Sequence, residues 1–282
     1  MSNWSNFHCH SNFSDGKGTP EDIIKKAIEL NMPAIGISEH SPVPFETAWN
    51  LKSENVDNYI ELVNSFKKKN SGKIEIYCGM EVDYISNMQT EILKNSKIDQ
   101  LDYIIGSIHF LGFLADGQLW NIDSSGELFE QGMKEIFKND GIHLIESYYE
   151  NVANMVKQLK PTIVGHLDKI RLHNTGEVYF AEDSSYYKNA ALYALEAIKK
   201  ADCMVELNTR GLYKHNKKEP YPTLWLLKQM RQRSLRVVIS SDSHIPDDLV
   251  RGFPTAIEFL KEAGYRSRYS LESGKWNEIG LE

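Results

Sequence analysis

The chain has few cysteines, no long apolar run and no excess of basic residues, and each shortage excludes a class of protein. Only Cys9, Cys78 and Cys203 occur among 282 residues, which argues against a disulfide framework and favours a reducing compartment. No apolar run reaches the ~18 residues of a transmembrane helix. Residues 1–6 lack the basic and apolar regions of a secretory signal. We therefore expect a cytoplasmic protein that does not span a membrane.

The balance of charge also narrows the possible partners. A net charge of −7 disfavours nucleic acid as the main partner of the chain. Hydrophobic content of 41% and charged content of 25% are ordinary for a globular protein with a sizeable core. No internal repeat, linker or low-complexity segment divides the sequence. We therefore expect residues 1–282 to form a single domain.

Short apolar runs alternate with helical patterns along most of the chain. A helical pattern opens at Thr19-Pro20, for example, with an N-cap residue followed by proline at the first helical position. This alternation indicates parallel strands joined by crossover helices, and seven runs in one domain favour a closed or nearly closed barrel. The predicted strands cover residues 6–10, 34–38, 73–80, 103–108, 162–165, 203–208 and 236–241.

The alternation is interrupted after the fourth predicted strand. An aromatic, glycine-containing loop covers residues 110–123, and helical patterns cover residues 125–138 and 142–159. Long insertions of this kind inside a compact domain are typically functional lids. We therefore expect residues 110–160 to form an insertion or lid. The tail from Tyr265 has no clear pattern.

Metal-competent residues lie at or just after the ends of the predicted strands. Six of the nine histidines are among them. In α/β barrels the carboxyl ends of the strands carry the chemistry, so these side chains are predicted to converge. Nitrogen and oxygen donors suit Zn²⁺, Mn²⁺ or Fe²⁺, and nine ligands imply two or three ions. The predicted ligands are His8, His10, Asp15, His40, Glu81, His109, His166, Asp242 and His244.

Alternation along the extended backbone separates ligands from non-ligands. In His8-Cys9-His10 and Asp242-Ser243-His244 the outer residues share one face and the middle residue faces away. Glu81, a carboxylate among imidazoles, is a natural bridge between two cations. We interpret Cys9 and Cys78 as core residues. The histidines outside strand ends are interpreted as non-ligands, and these are His143, His173 and His215.

Six motifs occur in order between residues 7 and 255. They are His8-x-His10 followed by Asp15-Gly16, Ser38-Glu39-His40, Gly79-Met80-Glu81, Ser107-Ile108-His109, Gly165-His166, and Ser241-Asp242-Ser243-His244. As an ordered set they resemble the motifs of the PHP (polymerase and histidinol phosphatase) superfamily. The stretches 107–111, 165–168 and 206–211 are similar to those of its stand-alone histidinol-phosphate phosphatases.

The resemblance implies a fold and a ligand set. The implied fold is a distorted seven-stranded (β/α) TIM-like barrel of the PHP type with a trinuclear metal site. The resemblance further implies catalytic roles for Glu81, Asp242 and His244. Many relatives carry histidine where Asp15 stands. The implied sets are His8, His10, Glu81 and Asp242 around one metal, Glu81, His109 and His166 around a second, and Asp15, His40 and His244 around a third.

This metal site fits hydrolysis of a phosphomonoester. Clustered cations lower the pKa of a bridging water towards neutrality, yielding a hydroxide, and hold phosphate oxygens for in-line attack. Other phosphatase signatures are absent, since no cysteine has an arginine six positions later and no P-loop occurs. The group that protonates the leaving alkoxide is not identified.

Substrate contacts are expected in the loops near the strand ends. Arg171 and Arg210 are candidates for binding phosphate, with an ordinary surface ion pair as the alternative for each, and Lys169 is a weaker candidate. The insertion offers aromatic residues to cover an imidazole ring and carboxylates to meet an ammonium group, with simple loop packing as the alternative. These residues are Phe110, Phe113 and Trp120, and Asp116 and Asp123.

Three hypotheses of function follow. The first is hydrolysis of L-histidinol phosphate to L-histidinol and phosphate in histidine biosynthesis, by a histidinol-phosphatase. The second is a related hydrolase acting on phosphotyrosine, on another small phosphate ester or on nucleic acid, although the acidic charge and the lack of polymerase-like flanking domains disfavour a nuclease. The third is a non-catalytic metal-binding protein, which would require broken ligands, and none is broken.

Overall fold

The computed structural model describes residues 4–215 and 217–281, and its central element is a curled parallel sheet. Six strands form this sheet in the order β1-β2-β3-β6-β7-β8, and all neighbours are parallel. Two antiparallel hairpins, β4-β5 and β9-β10, complete the strands. The predicted α/β class is confirmed. The strands in the described residues are β1 (Ala34–His40), β2 (Glu75–Asp83), β3 (Tyr103–Ser107), β4 (Phe110–Phe113), β5 (Leu119–Asn121), β6 (Ile163–Val164), β7 (Met204–Asn208), β8 (Val237–Ser240), β9 (Ser267–Glu272) and β10 (Lys275–Gly280).

The helices begin and end close to the positions that the sequence predicts. The Thr19 hydroxyl accepts a hydrogen bond from the Asp22 N–H, and the Asp22 carboxylate accepts one from the Thr19 N–H, so a capping box starts the first helix. No helix in the described ranges is long and apolar enough to cross a membrane. The helices are α1 (Pro20–Glu29), α2 (Val56–Lys69), α3 (Gln89–Ser96), α4 (Gly126–Glu135), α5 (Gly141–Gln158), α6 (Ser185–Ala201), α7 (Arg210–Tyr213), α8 (Leu224–Gln232) and α9 (Phe253–Glu262).

The first predicted strand, residues 6–10, forms no continuous ladder with the sheet. Its backbone makes only single parallel bridges, to Ile35 near one edge of the sheet and to Ser243 beyond the other. The ladder is interrupted because the His8 N–H donates to the Asn6 side-chain oxygen (3.1 Å) instead of to a neighbouring strand. Among the described residues the sheet therefore has six strands with continuous ladders, and the predicted count of seven is not confirmed.

Alternation along the strands gives the sheet two different faces. One face carries a small apolar cluster that includes Phe7, Tyr103 and Leu271, the last from the C-terminal hairpin. The opposite face packs under the helices and belongs to the main core, which contains both Cys9 and Cys78. The interpretation of these two cysteines as core residues is confirmed.

Two hairpins lie where the sequence predicts none. The turn of the C-terminal hairpin is Ser273-Gly274, and both residues have positive φ (53° and 70°), as in the tight turns that favour hairpins. The strands on either side lack a regular apolar alternation, which hid them. The β4-β5 hairpin lies inside the insertion and is short and irregular in register.

We expect replacement of Gly79 by alanine to destabilise the sheet. A Cβ at Gly79 would lie 2.2 Å from Cζ of Tyr103, whose hydroxyl is fixed by donation to the Phe7 carbonyl (2.7 Å). Overpacking of this kind costs ~1–3 kcal/mol in the free energy of unfolding, measured by denaturant titration. Gly126→Ala is the control, since a Cβ there would lie no closer than 3.8 Å to its nearest neighbour, Nδ1 of His173. Equal stability of the two variants would contradict the packing argument.

Candidate metal centre

The ends of the strands bring the predicted ligands to one place. His40 is the last residue of β1, Glu81 lies near the end of β2, and His109 and His166 follow β3 and β6. Asp242 and His244 follow β8 and meet the segment of His8 and His10. All of these side chains are buried except His244, which is partly exposed, and Asp15 lies on the loop before α1 with 31% of its side chain exposed.

Glu81 lies at the centre of the cluster. Its Oε2 atom is 3.2 Å from Nε2 of His8, 3.6 Å from Nε2 of His10 and 2.9 Å from Nδ1 of His40. Its Oε1 atom is 2.9 Å from Nε2 of His166 and 3.5 Å from Nε2 of His109. Five imidazoles therefore surround one carboxylate, as expected of a ligand shared between cations.

The described residues offer three groups of atoms that are close enough to hold an ion each. The groups are His8, His10 and Asp242; His40, Glu81 and His109; and His10, Asp15, His40 and His244. These groups share His10 and His40. His166 lies beside the second group, with Nε2 3.2 Å from Nε2 of His109. All nine residues named from the sequence therefore lie in one cluster.

The chemistry and spacing of the donors fit divalent cations. Six buried atoms of the cluster make no hydrogen bond of normal angle among the described residues, although Nδ1 of His40 and Oε2 of Glu81 lie 2.9 Å apart: Nε2 of His8, Nδ1 and Nε2 of His10, Nδ1 of His40 and of His166, and Oε2 of Glu81. Ligand atoms that are each about 2.0–2.2 Å from one tetrahedral zinc ion lie about 3.3–3.6 Å apart. Separations of 3.2, 3.4 and 3.6 Å occur between His8, His10, Glu81 and Asp242.

Two further carboxylates contact the imidazoles of His8 and His109 at the ring nitrogens that face away from Glu81. Oε2 of Glu206 is 2.8 Å from Nδ1 of His8, and Oδ1 of Asp83 is 2.7 Å from Nδ1 of His109. A carboxylate at one ring nitrogen places the proton there and leaves the other nitrogen free for a metal. Sequence reasoning missed both residues as site residues. The available signal was their spacing, since Asp83 follows Glu81 by two and Glu206 interrupts the apolar strand β7.

The charges of the cluster suit cation binding. Burial would raise the pKa of Glu81, but His8, His40 and His109 outweigh it and hold that pKa well below its usual range. Burial would also raise the pKa of Asp242, but His8 and Arg210 outweigh it and hold that pKa well below its usual range. Burial and the neighbouring imidazoles of His40 and His244 hold the pKa of His10 well below normal. Ionised carboxylates and a neutral His10 are protonation states that a metal requires. Burial would lower the pKa of His8, His40 and His109, but the neighbouring carboxylates outweigh it and raise that pKa, so a cation would displace protons from these rings.

A cavity of about 450 Å³ opens above these ligands, and polar side chains from several elements line it. Nη1 of Arg210 donates to the Asp242 carbonyl (2.7 Å) and lies 2.9 Å from Nδ1 of His244. Lys169 is buried in the wall, where its ammonium lies 2.9 Å from a carboxylate oxygen of Asp123. The cavity thus presents cationic groups next to the metal ligands.

Arg171 takes a different position from Arg210. Its Nε atom donates to Glu182 (2.6 Å) and its Nη1 atom to Asp168 (3.3 Å), while Nη2 lies 3.9 Å from Glu219. These carboxylates come from three separate segments, and Arg171 does not line the cavity. The structure therefore places Arg171 in a buried ion-pair network and brings only Arg210 to the ligands.

The other candidates from the insertion are divided between cavity and core. Asp123 lines the cavity, whereas Asp116 lies in the exposed turn of the β4-β5 hairpin and accepts from the Gln118 N–H (2.9 Å). Trp120 is fully buried, and Phe113 is exposed. Phe110 stacks on Trp49, a cavity residue that sequence reasoning missed.

The three histidines interpreted as non-ligands lie outside the three groups. The His143 ring packs edge-on against Phe137, and Nε2 of His173 is 2.9 Å from the Ser124 carbonyl. His215 lines the cavity, with Nδ1 3.4 Å from the Tyr221 hydroxyl.

Comparison with known proteins adds a family and several relatives. The PHP domain model matches residues 6–210. The histidinol-phosphatase of Bacillus subtilis (strain 168) is 25% identical over 266 residues, covering 89% of this chain and 97% of that protein. The solved structure of hisK from Listeria monocytogenes is 25% identical, with a TM-score of 0.78 over 89% of this chain and 99% of that one.

A second solved structure has the same fold at lower identity. It is histidinol phosphate phosphatase from Lactococcus lactis subsp. lactis, complexed with zinc, L-histidinol and phosphate. Its identity to this chain is 19% and its TM-score is 0.72, over 98% of this chain and 99% of that one.

We expect Glu206→Gln to weaken metal binding. The two carboxylate oxygens of Glu206 face the His8 ring, the backbone N–H of His166 (2.7 Å), the side-chain amide of Asn208 (2.7 Å) and the Ser240 hydroxyl. A glutamine amide would turn an NH₂ group towards donors, so His8 would lose its fixed tautomer, and metal affinity should fall ~10–100-fold. Competition with a fluorescent chelator measures this affinity.

The matched control is Glu196→Gln, an exposed carboxylate on α6 that pairs with Arg233 (2.7 Å). It should bind metal as the unmodified chain does. Unchanged affinity in Glu206→Gln would show that this carboxylate does not orient His8.

Proposed function

The chain belongs to the PHP domain family, and on that premise we propose that it is a metal-dependent histidinol-phosphatase. The proposed reaction is hydrolysis of L-histidinol phosphate to L-histidinol and phosphate, a step of histidine biosynthesis. The observation that carries the proposal is the cavity in which Arg210 and Lys169 lie beside the nine-residue ligand cluster. The names of the Bacillus subtilis and Lactococcus lactis proteins support this substrate.

We propose two or three divalent ions, of Zn²⁺, Mn²⁺ or Fe²⁺, in the three ligand groups. Support comes from the donor set, which contains only nitrogen and oxygen atoms, and from the residues shared between groups.

We further propose that residues 6–10 serve as the seventh strand of a distorted barrel. Their bridges to Ile35 and Ser243 support this, because they connect the two ends of the curled sheet.

In the proposed mechanism the chain's residues hold charge at fixed places. When bound, the cations supply Lewis acidity, lower the pKa of water and neutralise phosphoryl charge. Glu81, Asp242 and His244 surround the reacting centre in this proposal, and the first two are kept ionised by their neighbours. Glu206 and Asp83 keep two imidazoles oriented. The guanidinium of Arg210 is placed to meet phosphate oxygens, as a planar fork of donors does well.

The insertion completes the proposal. We propose that residues 1–282 form one domain and that residues 110–160 form a lid whose Asp123 meets the ammonium group of the substrate. Asp123 reaches the cavity wall, which supports this role.

We also propose a cytoplasmic enzyme without a nucleic-acid partner, in keeping with three free, buried cysteines and a net charge of −7.

The decisive test measures phosphate release from L-histidinol phosphate, phosphotyrosine and other small phosphate esters. We expect the highest kcat/KM on L-histidinol phosphate, loss of activity with a chelator, and recovery with Zn²⁺ or Mn²⁺. Arg210→Ala should lower kcat/KM by roughly 10–100-fold, because a hydrogen bond to a charged group contributes ~1.5–3 kcal/mol. Arg233→Ala, which removes a surface ion pair, should leave activity unchanged. A clear preference for phosphotyrosine would replace the proposed substrate.

Asp123→Asn tests recognition of the ammonium group. Loss of the charge should reduce kcat/KM for L-histidinol phosphate relative to 4-nitrophenyl phosphate, which has no amine, by roughly 10–100-fold. The ratio of the two substrates corrects for the effect on Lys169, which would lose its partner with either substrate. Asp116→Asn, in an exposed turn of the same insertion, is the control. An unchanged ratio would remove Asp123 from substrate recognition.

A further inference from the structure

Glu39 is a fully buried carboxylate for which the proposed reaction has no role. It precedes His40 on β1, so its side chain points to the face opposite the ligand cluster. Its oxygens accept from the Ser11 N–H (3.0 Å), the Ser11 hydroxyl (2.5 Å) and the Ser14 hydroxyl. All three donors belong to the loop that connects His10 to α1, so the hydrogen bonds of Glu39 are directed at this loop.

This loop carries Asp15, and Ser11 and Ser14 lie at its base. The Ser14 and Gly16 N–H groups both donate to the Ser11 carbonyl (3.2 and 2.9 Å), which folds the loop back on itself. Asp15 then projects towards the cavity, with Oδ1 3.6 Å from Nε2 of His40 and Oδ2 3.2 Å from Nε2 of His244. The far side of the loop is attached as well, because the Lys17 N–H donates to the His244 carbonyl (2.8 Å), so the base held by Glu39 is one of two attachments that fix this carboxylate.

The other ligands have independent supports. Glu81 belongs to a paired strand, and His109 is held by Asp83. Although His10 adjoins the loop, its own N–H donates to the Ser243 carbonyl (2.9 Å). Asp15 is the ligand with the greatest side-chain exposure and is carried by a loop without strand pairing. Loosening the loop would thus move Asp15 before any other ligand.

We propose that Glu39 is a positioning residue that, through Ser11 and Ser14, sets the affinity of the cation position formed by Asp15, His40 and His244. The cation positions built on Glu81 do not depend on it. This inference rests on the metal site of the proposed function, but it does not depend on the identity of the substrate. A purely structural role would instead lower stability and affect all cation positions alike.

The test compares metal binding of the unmodified chain with three variants. Ser14→Ala removes one hydroxyl from the network, and Glu39→Leu removes both acceptor oxygens. Glu39→Gln is the conservative variant, because its carbonyl oxygen still accepts from Ser11 and its amide donates to the Ser14 hydroxyl, which also accepts. Ser65→Ala is the matched control, since it removes a serine hydroxyl that donates to the Leu62 carbonyl (2.7 Å) on distant α2.

Stepwise titration with Zn²⁺ and with Mn²⁺, followed by elemental analysis, gives the number and affinity of bound ions without any substrate. In Ser14→Ala and Glu39→Leu we expect one binding step to weaken by ~10–100-fold while the remaining steps are unchanged. Glu39→Gln should bind within ~3-fold of the unmodified chain because its hydrogen bonds are retained. Ser65→Ala should match the unmodified chain in every step.

Thermal unfolding of the same proteins separates positioning from folding. If Glu39→Leu does not fold, Ser14→Ala decides alone, because it leaves the buried carboxylate and the Ser11 contacts in place. Unchanged affinities in folded Ser14→Ala, or equal weakening of every binding step, would overturn the proposal. If the selective loss occurs while L-histidinol phosphate is not hydrolysed, the positioning role stands and only the proposed substrate fails.

Discussion

The structure depends on the charge balance around Glu81. This carboxylate is 1% exposed, and burial of an unpaired carboxylate costs several kcal/mol. Five imidazoles offset that cost, and they come from the ends of strands β1, β3 and β6 and from the extended segment before the sheet. Such a ring of partners can form only if the sheet curls, so the curvature of the sheet and the electrostatics of the site depend on each other.

The imidazoles around Glu81 are oriented by carboxylates, and one of these carboxylates is in turn fixed by further hydrogen bonds. The imidazoles surround Glu81, and Glu206 and Asp83 lie behind two of them. Glu206 is itself fixed by donors from three strand ends, including the His166 N–H and the Asn208 amide. More buried carboxylates than lysines and arginines line this region, so divalent cations or imidazolium protons must supply the balancing charge. The groups that bind metal therefore also govern the stability of the strand ends.

The convergence of the nine candidate ligands could be predicted from the sequence, whereas the carboxylates that orient them could not. A histidine at the end of an apolar run is visible as a pattern in the sequence. The pairing of Glu206 with His8, in contrast, is apparent only when the fold brings the buried strand β7 beside His8. Arg171 and Arg210 both follow strand ends, and they differ because Glu182 and Glu219, distant in sequence, pair with Arg171. Residues 6–10 pair with the sheet only through single bridges for a local reason, since the side-chain oxygen of Asn6 accepts the His8 N–H that a continuous ladder would need.

The insertion forms a part of the cavity wall that packs separately from the sheet. Trp120 is fully buried, and its indole N–H donates to the Leu128 carbonyl (2.9 Å) at the start of α4. A Cβ at Gly132 would lie 2.1 Å from the Trp120 ring, so only glycine permits this close approach of helix and hairpin. The anchored tryptophan precedes Asn121, Asp123 and Ser124, which line the cavity. Because this wall packs on its own aromatic anchor, its polar residues can change without altering the candidate ligands at the strand ends.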